Sequence, residues 1–342
     1  MNKHKYNLQK LVLAVCGVYV VYGLLFSLIA WERIQQSRIA AIYPFLFVAV
    51  GILVAAYGIK LICYEKKEKT CWGLELIHTA SKYEFLIEQL VSRDFKVKYK
   101  RSILGVFWSF LNPLMMMLVQ YVVFANFFFR GSDMKHYAIY LLSGIVMFNG
   151  FNDCTTQAMR AITSNATLIT KVYVPKYIYP ITKVMSASLN VILSLVPLIL
   201  VTVVYGLFNN LYLKPSILLF PIVLVLFLLF IMGISFIVSS LMVFFHDIEF
   251  LWGVLTTMWM YATPIIYPIS MLETGSRLGN IALTVVKINP LTHYVNFVRD
   301  ILINGCSPAL SEYVICFVWA ALSMIVGIIV FRRTQDKFVL YI

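Results

Sequence analysis

The chain has 342 residues, of which 61% are apolar and 13% are charged, and its mean hydropathy is +0.85. Soluble domains carry about 25% charged residues, so the composition excludes an ordinary soluble protein and indicates a chain embedded in lipid. The formal charge is +13. Its cations lie between apolar segments, a pattern that favours contact with anionic lipid headgroups over binding to nucleic acid.

Eight apolar segments are long enough to cross a bilayer, which needs about 20 residues. They comprise residues 11–30, 41–63, 103–129, 137–155, 184–206, 216–244, 251–270 and 310–331. An even number of spans places both termini on one side of the membrane. With the termini in the cytoplasm, 20 lysines and arginines lie inside and 8 lie outside, as the positive-inside rule requires. The sequence therefore predicts an all-α polytopic membrane protein with cytoplasmic termini.

The spans and the charged stretches between them divide the chain into three parts. Residues 1–78 form a two-span hairpin and a basic linker, whose role the sequence does not assign. Residues 79–102 form an amphipathic helix, and residues 103–342 form a core of six spans. The apolar residues of that helix recur at helical spacing and comprise Tyr83, Leu86, Ile87, Leu90 and Val91. This pattern predicts a helix lying in the headgroup plane, with a solvated linker as the alternative.

A dense group of cations ends the amphipathic helix. It comprises Lys96, Lys98, Lys100 and Arg101, directly before the third span. Such a group can simply set the topology of the chain. It can also attract a polyanion, such as a lipid pyrophosphate, to the cytoplasmic entrance of a transport path.

The cytoplasmic loop 156–183 contains the second informative segment. Ser164 or Asn165 can cap a short helix over 166–173, and Pro175 stops it. The apolar face of this helix comprises Leu168, Ile169, Val172 and Tyr173. An exposed apolar patch of this kind indicates a partner site, although it can also pack on the protein's own loops or on the membrane surface.

Aromatic residues and an unusually long outer loop mark the remaining features of the core. Spans three and seven are rich in aromatic residues, including Phe107, Trp108, Tyr121, Phe124, Trp259 and Tyr261. Sugars bind aromatic faces through their C–H surfaces, so a pore lined by these rings would suit a glycan; lipid packing and interfacial belts are the alternative. The loop 271–309 predicts two short helices within 281–303, which re-enter the outer leaflet or cap an exit.

Chemistry-bearing motifs are absent from the sequence. It contains no GxxxxGK[ST] phosphate loop, no HExxH and no GxSxG, and its five histidines have no metal-ligand spacing. We therefore predict no catalytic residue and no metal site. The spans also hold almost no ionisable residues, which an ion-coupled transporter needs, so the sequence predicts a transport path whose energy is supplied elsewhere.

Residues 91–113 resemble the opening of ABC-2 type permeases of the polysaccharide, O-antigen and teichoic-acid export family. The shared residues are Arg93-Asp94, Lys98-Tyr99-Lys100-Arg101, Leu104-Gly105, Trp108 and Asn112-Pro113. Further matches follow in the family's order: Leu142-Ser143-Gly144, the segment 165–175, Phe245-His246-Asp247-Ile248, Thr263-Pro264-Ile265 with Tyr267, Asn289-Pro290 and Val298-Arg299-Asp300. The resemblance covers about 80–342. His246 stands where the family has arginine, and the hairpin 1–78 lies outside the pattern.

The resemblance implies an exporter in the bacterial cytoplasmic membrane that moves a lipid-linked glycan or polyol-phosphate polymer. Two copies of this chain would pair, each with a separate ATP-binding subunit that holds ATP and Mg. Coupling to that subunit falls on Asn165, Leu168, Ile169, Val172, Tyr173 and Pro175. The cytoplasmic gate and the lipid-pyrophosphate contact fall on Arg93, Lys98, Lys100, Arg101, Leu104 and Gly105. The aromatic residues of spans three and seven would line the channel.

Two other functions fit parts of the sequence. An ABC-2 permease for a drug or a small lipid shares the fold and the need for an ATPase. A membrane glycosyltransferase or polymer ligase would need catalytic groups on an outer loop, where Glu273, Lys287, Arg299 and Asp300 are available.

Overall fold

The computed structural model describes residues 8–36, 43–67, 72–100, 102–128, 136–172, 174–209, 214–273 and 275–342, and the regular elements within them are all helical. The chain divides into two compact units, residues 1–90 and 91–342. The predicted boundary after residue 78 falls inside a continuous helix, α4, which spans Trp72–Tyr99.

The first unit is built on an antiparallel pair of apolar helices. Its elements are α1 (Leu8–Ile29), α2 (Trp31–Gln36), α3 (Tyr43–Lys66) and the first part of α4. Tyr19 of α1 stacks on Phe47 of α3 with ring centroids 5.2 Å apart, and its hydroxyl donates to the Phe47 carbonyl oxygen at 2.7 Å. A side chain at Gly23 would collide with the Phe47 ring, so this glycine sets the close spacing of the pair. Two long apolar helices thus contact each other within residues 1–66, while the two-span hairpin of residues 1–78 stays a prediction.

The described residues of the second unit form ten further α-helices and several short turns of 3-10 or π helix. The α-helices are α5 (Phe107–Phe128), α6 (Tyr137–Met159), α7 (Ala166–Lys171), α8 (Ile178–Asn209), α9 (Phe220–Phe244), α10 (Ile248–Ala262), α11 (Arg277–Ile288), α12 (Pro290–Arg299), α13 (Leu310–Thr334) and α14 (Phe338–Tyr341). The two short helices predicted within 281–303 correspond to α11 and α12, the second of which continues into a π-helical turn, Asp300–Asn304.

Six helical segments in the described part of the chain are long and apolar enough to cross a membrane. They are Leu8–Ile29, Phe47–Glu65, Phe107–Phe124, Ile178–Phe208, Pro215–Phe244 and Leu310–Tyr341. The other two predicted spans correspond to α6 and α10, which do not meet the same criteria. The protein is thus a multi-pass membrane protein, while the count of eight spans and the side on which the termini lie stay predictions.

The predicted span 251–270 is wrong at its C-terminal end, because α10 stops at Ala262. The 15 residues of α10 extend for about 22 Å at 1.5 Å per residue. Thr263 precedes Pro264, and a residue before proline is disfavoured in helical conformation. The chain therefore leaves the helix at this point and continues as an irregular segment to Pro268.

Helices α9 and α13 pack with their main chains in contact. A Cβ atom on Gly327 would collide with the carbonyl oxygen of Gly233, and one on Gly233 would collide with the backbone of Ser323. Small residues allow this approach, since lipid provides no hydrophobic drive and packing must supply the association. These two glycines hold together the central helix pair of the second unit.

Replacing Gly327 with alanine should destabilise the protein by about 1–3 kcal/mol, because the added methyl group has no space and the helices must separate. The thermal unfolding temperature of the detergent-solubilised protein measures the effect. Gly17 is the matched control, since it lies in α1 with no atom within 4 Å of an added Cβ, so its alanine variant should unfold at or above the wild-type temperature. Equal unfolding temperatures for both variants would contradict the close packing of α9 and α13.

Candidate functional site

Two ion pairs and a hydrogen bond from a lysine bring helix ends together at one end of the second unit, here called the α7 end. Lys98 Nζ of α4 lies 2.9 Å from Asp153 Oδ2 near the end of α6. Arg160, directly after α6, pairs with Glu249 in the first turn of α10. Lys176 Nζ, before α8, donates to the carbonyl oxygen of Gln335 after α13 at 2.6 Å. The ends of α4, α6 and α13 and the starts of α8 and α10 therefore lie at the α7 end.

Asp94 is the centre of this end of the molecule. Its Oδ1 accepts from Arg93 Nη2 at 2.9 Å, and its Oδ2 lies 2.9 Å from Lys183 Nζ of α8. The side chains of Asp94 and Lys183 are only 11% and 18% exposed. Arg93 Nη2 also donates to Asn165 Oδ1 at 3.3 Å. The Asp94 carboxylate thus connects the end of α4 to the start of α8, and its partner Arg93 extends the connection to the residue before α7.

The residues predicted to contact a lipid pyrophosphate fall into two groups, those that form ion pairs within the protein and those that do not lie in such a pair here. Arg93 and Lys98 each face a protein carboxylate, whereas Lys100 is exposed at the end of α4. Arg101 lies outside the described residues. Contact of these cations with a substrate stays a prediction, and Arg93 and Lys98 would have to share their charge between the carboxylate and the substrate.

The predicted gate, Leu104-Gly105, lies in the turn before α5. Gly105 has φ +52°, a conformation that other residues rarely adopt, and its N–H donates to Ser102 Oγ at 3.0 Å. Leu104 is 43% exposed. Below the turn, the Tyr99 hydroxyl is hydrogen-bonded to Ser109 of α5 and donates to Asn190 Oδ1 of α8 at 2.6 Å.

The predicted coupling segment contains the short helix α7, which ends two residues earlier than expected. Asn165 precedes α7 but makes no capping hydrogen bond; it is buried and its amide donates to the Ala161 carbonyl oxygen at 2.8 Å. The expected cap at this residue is therefore wrong, because Asn165 is used to connect α4 instead. Leu168, Ile169 and Pro175 are half-buried, Val172 is 49% exposed, and Tyr173 lies outside the described residues.

The predicted channel aromatics lie in different environments. Phe107 and Trp108 are each 49% exposed at the start of α5, and Tyr261 is 64% exposed at the end of α10. Tyr121 of α5 contacts the ring of Tyr137 at 5.9 Å. Phe124, also in α5, is half-buried.

Trp259 has a structural partner within the protein. Its indole N–H donates to Asn289 Oδ1 at 2.8 Å, and its ring meets Phe151 edge-on at 5.0 Å. These contacts hold the indole of α10 against α6 and the start of α12.

The irregular segment after α10 is held by side chains at the opposite end of the unit, here called the α12 end. Six carbonyl oxygens within residues 261–267 accept hydrogen bonds from five side chains, and two of these carbonyls share the single hydroxyl proton of Tyr140. The pairs are Tyr261 with Tyr267 Oη (2.8 Å), Ala262 with Asn289 Nδ2 (3.1 Å), Pro264 with Tyr140 Oη (3.1 Å), Ile265 with Arg299 Nη2 (3.4 Å), Ile266 with Tyr137 Oη (2.9 Å) and Tyr267 with Tyr140 Oη (2.9 Å). We call this arrangement the carbonyl clamp.

Arg299 is the charged member of the carbonyl clamp. It is 5% exposed, its guanidinium lies 3.3 Å from the centroid of the Tyr140 ring, and Nη2 donates to the Tyr140 carbonyl oxygen at 3.1 Å. Burial lowers the pKa of Arg299 to about 10, which leaves it protonated at neutral pH. Gly144 provides the space for it, since a Cβ there would lie 3.2 Å from Nη2. Its partners are thus dipoles and a π face, which compensate for part of the lost hydration.

A histidine joins α12 to α13 at the same end. His293 Nδ1 lies 2.8 Å from Glu312 Oε2, and Nε2 lies 2.8 Å from the carbonyl oxygen of Lys287. Both ring nitrogens therefore face acceptors. The hydrogen bond to Glu312 is the main cause that raises the pKa of His293 above its ordinary value, and burial opposes it.

Sequence reasoning named Asn289 and Asp94 only as parts of motifs, and Arg299 also as a candidate group of the ligase alternative. It assigned no role to Tyr137, Tyr140, Asn190 or Lys183. One signal was present for Asp94: a single carboxylate in a strongly basic stretch predicts an ion pair. Tyr137 and Tyr140 gave no signal, because their partners are backbone carbonyls more than 120 positions away in the chain.

Comparison with known proteins shows which family most of the chain matches. Residues 86–303 match the family described as ABC-2 type transporter. The O-antigen export system permease protein RfbA of Myxococcus xanthus is 27% identical over 267 residues, covering 78% of this chain and 98% of that relative. A protein of the same name from Klebsiella pneumoniae is 26% identical over 254 residues, covering 74% of this chain and 93% of that relative. The matched region includes α7, the Asp94 contacts and the carbonyl clamp.

Replacing Asp94 with asparagine should destabilise the second unit by about 3 kcal/mol, because it leaves the largely buried Lys183 ammonium without its counter-charge. Thermal unfolding in detergent measures the loss. The exposed Asp336 is the control, and its asparagine variant should differ from wild type by less than about 0.5 kcal/mol. An Asp94→Asn protein that unfolds like wild type would show that this carboxylate does not hold the helix ends together.

The His293 contact should give the protein a pH-dependent stability. A raised folded-state pKa contributes stability that is complete below the unfolded value of about 6.5 and is lost as pH rises through the higher folded value. The unfolding temperature of wild type should therefore exceed that of His293→Gln most at about pH 6, with a gap that narrows towards alkaline pH. A constant gap across this range would exclude a protonated His293.

Proposed function

Because the chain belongs to the ABC-2 type transporter family, we propose that it is the membrane subunit of an ATP-driven polymer exporter. The cargo is a lipid-linked polysaccharide or a teichoic-acid-like polymer, moved across the bacterial cytoplasmic membrane. The names of the relatives, O-antigen export system permeases that are covered over 93–98% of their length, support this choice of cargo.

The contact between α7 and the membrane helices carries the proposal. Asn165, directly before α7, is tied through Arg93 and Asp94 to Lys183 of α8. A displacement of α7 is therefore passed to α4 and α8 by charged contacts rather than by loose loops. This is the arrangement that an exporter needs if a separate subunit pushes on α7 when it binds ATP.

The ATP-binding subunit is a separate chain in this proposal, because the sequence has no phosphate-binding loop. Two copies of it hold ATP and Mg, and each docks on α7 of one of two paired copies of this chain. In this proposal the α7 end faces the cytoplasm, which its cations favour under the positive-inside rule. Both termini lie on the same side, and the eight spans include α6 and α10.

The transport path begins at the turn between α4 and α5. Lys100 is exposed there beside the apolar Leu104, so the turn offers a cation to a lipid pyrophosphate and an apolar residue to a gate. The exposed rings of Phe107 and Trp108 follow it, and Tyr261 lies near the exit. Gly105 permits the positive φ that the turn at the gate requires.

The two other functions have less support. The ligase alternative drew its catalytic groups from Glu273, Lys287, Arg299 and Asp300. Of these, Arg299 is buried and hydrogen-bonded to carbonyl oxygens. A permease for a drug or a small lipid would share all the contacts at the α7 end, so the exported substance itself must distinguish it.

Replacing Val172 with aspartate should abolish co-purification with the ATP-binding subunit encoded beside this gene, together with polymer export. Val172 is half exposed, so the charge opposes docking without disturbing the fold. The double variant Leu168→Asp, Ile169→Asp should have the same effect. The measurements are co-purification, ATP hydrolysis and surface polymer on intact cells.

Thr170→Asp is the matched control, because it adds the same charge at an exposed position of α7. It should assemble and export like wild type if docking uses the apolar face. If polymer reaches the surface without ATP or without a bound ATPase, the chain is not an exporter subunit. If a drug or a small lipid is moved and the polymer is not, the first alternative replaces the proposal.

A further inference from the structure

A single histidine side chain bridges two neighbouring helices at the α12 end. His293 Nδ1 of α12 lies 2.8 Å from Glu312 Oε2 in the first turn of α13. Its Nε2 lies 2.8 Å from the carbonyl oxygen of Lys287 in the last turn of α11. The side chain of His293 is 13% exposed and that of Glu312 is 25% exposed, so protons from the solvent can still reach the pair. One ring thus connects α11, α12 and α13.

Both partners of the ring are hydrogen-bond acceptors, which decides the protonation state that suits it. A carbonyl oxygen only accepts, and the N-terminal end of α13 favours the ionised, acceptor-only form of Glu312. A neutral imidazole has one N–H and one lone pair, so it satisfies one of the two oxygens. An imidazolium has two N–H groups and satisfies both. The arrangement is therefore complete only while His293 is protonated.

Glu312 is the charged side chain that contacts the His293 ring in the part of the chain that the structure describes. The Lys287 ammonium is on the exposed side of α11, α9 has no titratable residue, and Arg299 belongs to the carbonyl clamp. Asp300, in the turn after α12, accepts from Asn304 at 2.8 Å. The other titratable groups that α6 and α13 bring near this end are uncharged at neutral pH. They are Tyr137, Tyr140, Tyr313 and Cys316.

Loss of the ring proton acts on α11 rather than on α13. A charged acceptor makes the stronger hydrogen bond, so a neutral His293 keeps its one proton on Nδ1 for Glu312. The lone pair of Nε2 then faces the carbonyl oxygen of Lys287, and two acceptors repel each other. The carbonyl group at the end of α11 is thereby left without its donor, which every helix end needs when it is buried.

Helix α12 has further contacts with α13, whereas α11 has little else to hold it. Tyr294 Oη donates to the Cys316 carbonyl oxygen at 2.7 Å, and the Phe297 ring meets the Tyr313 ring edge-on at 4.6 Å. In α11 the buried side chain is Val286. Segments with few buried contacts open locally at a low cost in free energy, so the end of α11 is the part that responds.

We propose that His293 is a proton-operated latch, which holds the last turn of α11 against α12 and α13 while the ring is protonated and releases it when the proton is lost. The raised pKa of His293 places this release above the ordinary value of about 6.5. The latch makes the outer helix α11 sensitive to the pH of the medium at the α12 end. It goes beyond the proposed export function and does not depend on it.

Hydrogen exchange of α11, measured on the full-length protein in detergent, tests the latch without substrate or ATPase. The protection of α11, relative to an unstructured peptide at the same pH, should fall about tenfold or more between about pH 6 and about pH 9, because a hydrogen bond from a charged donor is lost. Helix α9 is the internal reference, since it has no titratable residue. A fall of equal size in α9 would show general loosening and overturn a local latch.

Two variants should fix the latch in opposite states. His293→Gln offers one donor and one acceptor, like the neutral imidazole, so α11 should be weakly protected at every pH. Glu312→Gln supplies an amide that donates to Nδ1 of the neutral ring, while Nε2 donates to the Lys287 carbonyl oxygen. Its α11 should therefore stay protected at alkaline pH. His246→Gln is the matched control, because His246 is exposed before α10, and it should keep the wild-type pH dependence.

The opposite expectations keep the latch testable even where one variant fails to fold. Equal protection of wild-type α11 at the two pH values would show that His293 does not control it. A Glu312→Gln protein whose α11 loses protection at alkaline pH as wild type does would also overturn the latch. Polymer export enters none of these measurements, so the export proposal stands or falls by its own test.

Discussion

Backbone polar groups in a membrane have no water to bond with, and this constraint governs the α12 end of the protein. Helix α10 ends at Ala262, well before its sequence ceases to be apolar. The carbonyl groups that follow would be left without donors in lipid, where each costs several kcal/mol. Tyr137, Tyr140, Asn289 and Arg299 supply these donors. The irregular segment exists only because three separate parts of the chain meet there.

The carbonyl clamp also connects the helices around it. Arg299 reaches the start of α6 from the end of α12, so the first turn of α6, the end of α10 and the two short helices form one bonded cluster. His293 extends the cluster to α13 through Glu312. The C-terminal end of α10 is thus held by the carbonyl clamp, whereas its first turn is held by the Arg160–Glu249 pair.

The α7 end is built on a different interaction, between opposite charges. Asp94 joins α4 and α8 there, while Lys98 and Arg160 join α4 and α10 to α6 through Asp153 and Glu249. Such pairs are mostly only half-buried, so they can exchange partners at a lower cost than the carbonyl clamp. The proposed export mechanism uses this difference, because the α7 end would move when the ATPase acts while the α12 end keeps its hydrogen bonds.

The sequence by itself determined the membrane class, the helical fold, the positions of the long apolar helices and the short helices α7, α11 and α12, because hydropathy, period and proline act locally along the chain. The order of its motifs also led to the correct family. Only the tertiary structure decided that Asn165 connects α4 instead of capping α7, and that Trp259 donates a hydrogen bond to Asn289. These facts depend on pairs of residues from different helices, and a single sequence does not reveal which distant groups meet. Tyr140 is the clearest case: its partners are backbone carbonyls, which every residue carries, so its role depends entirely on where the fold places them.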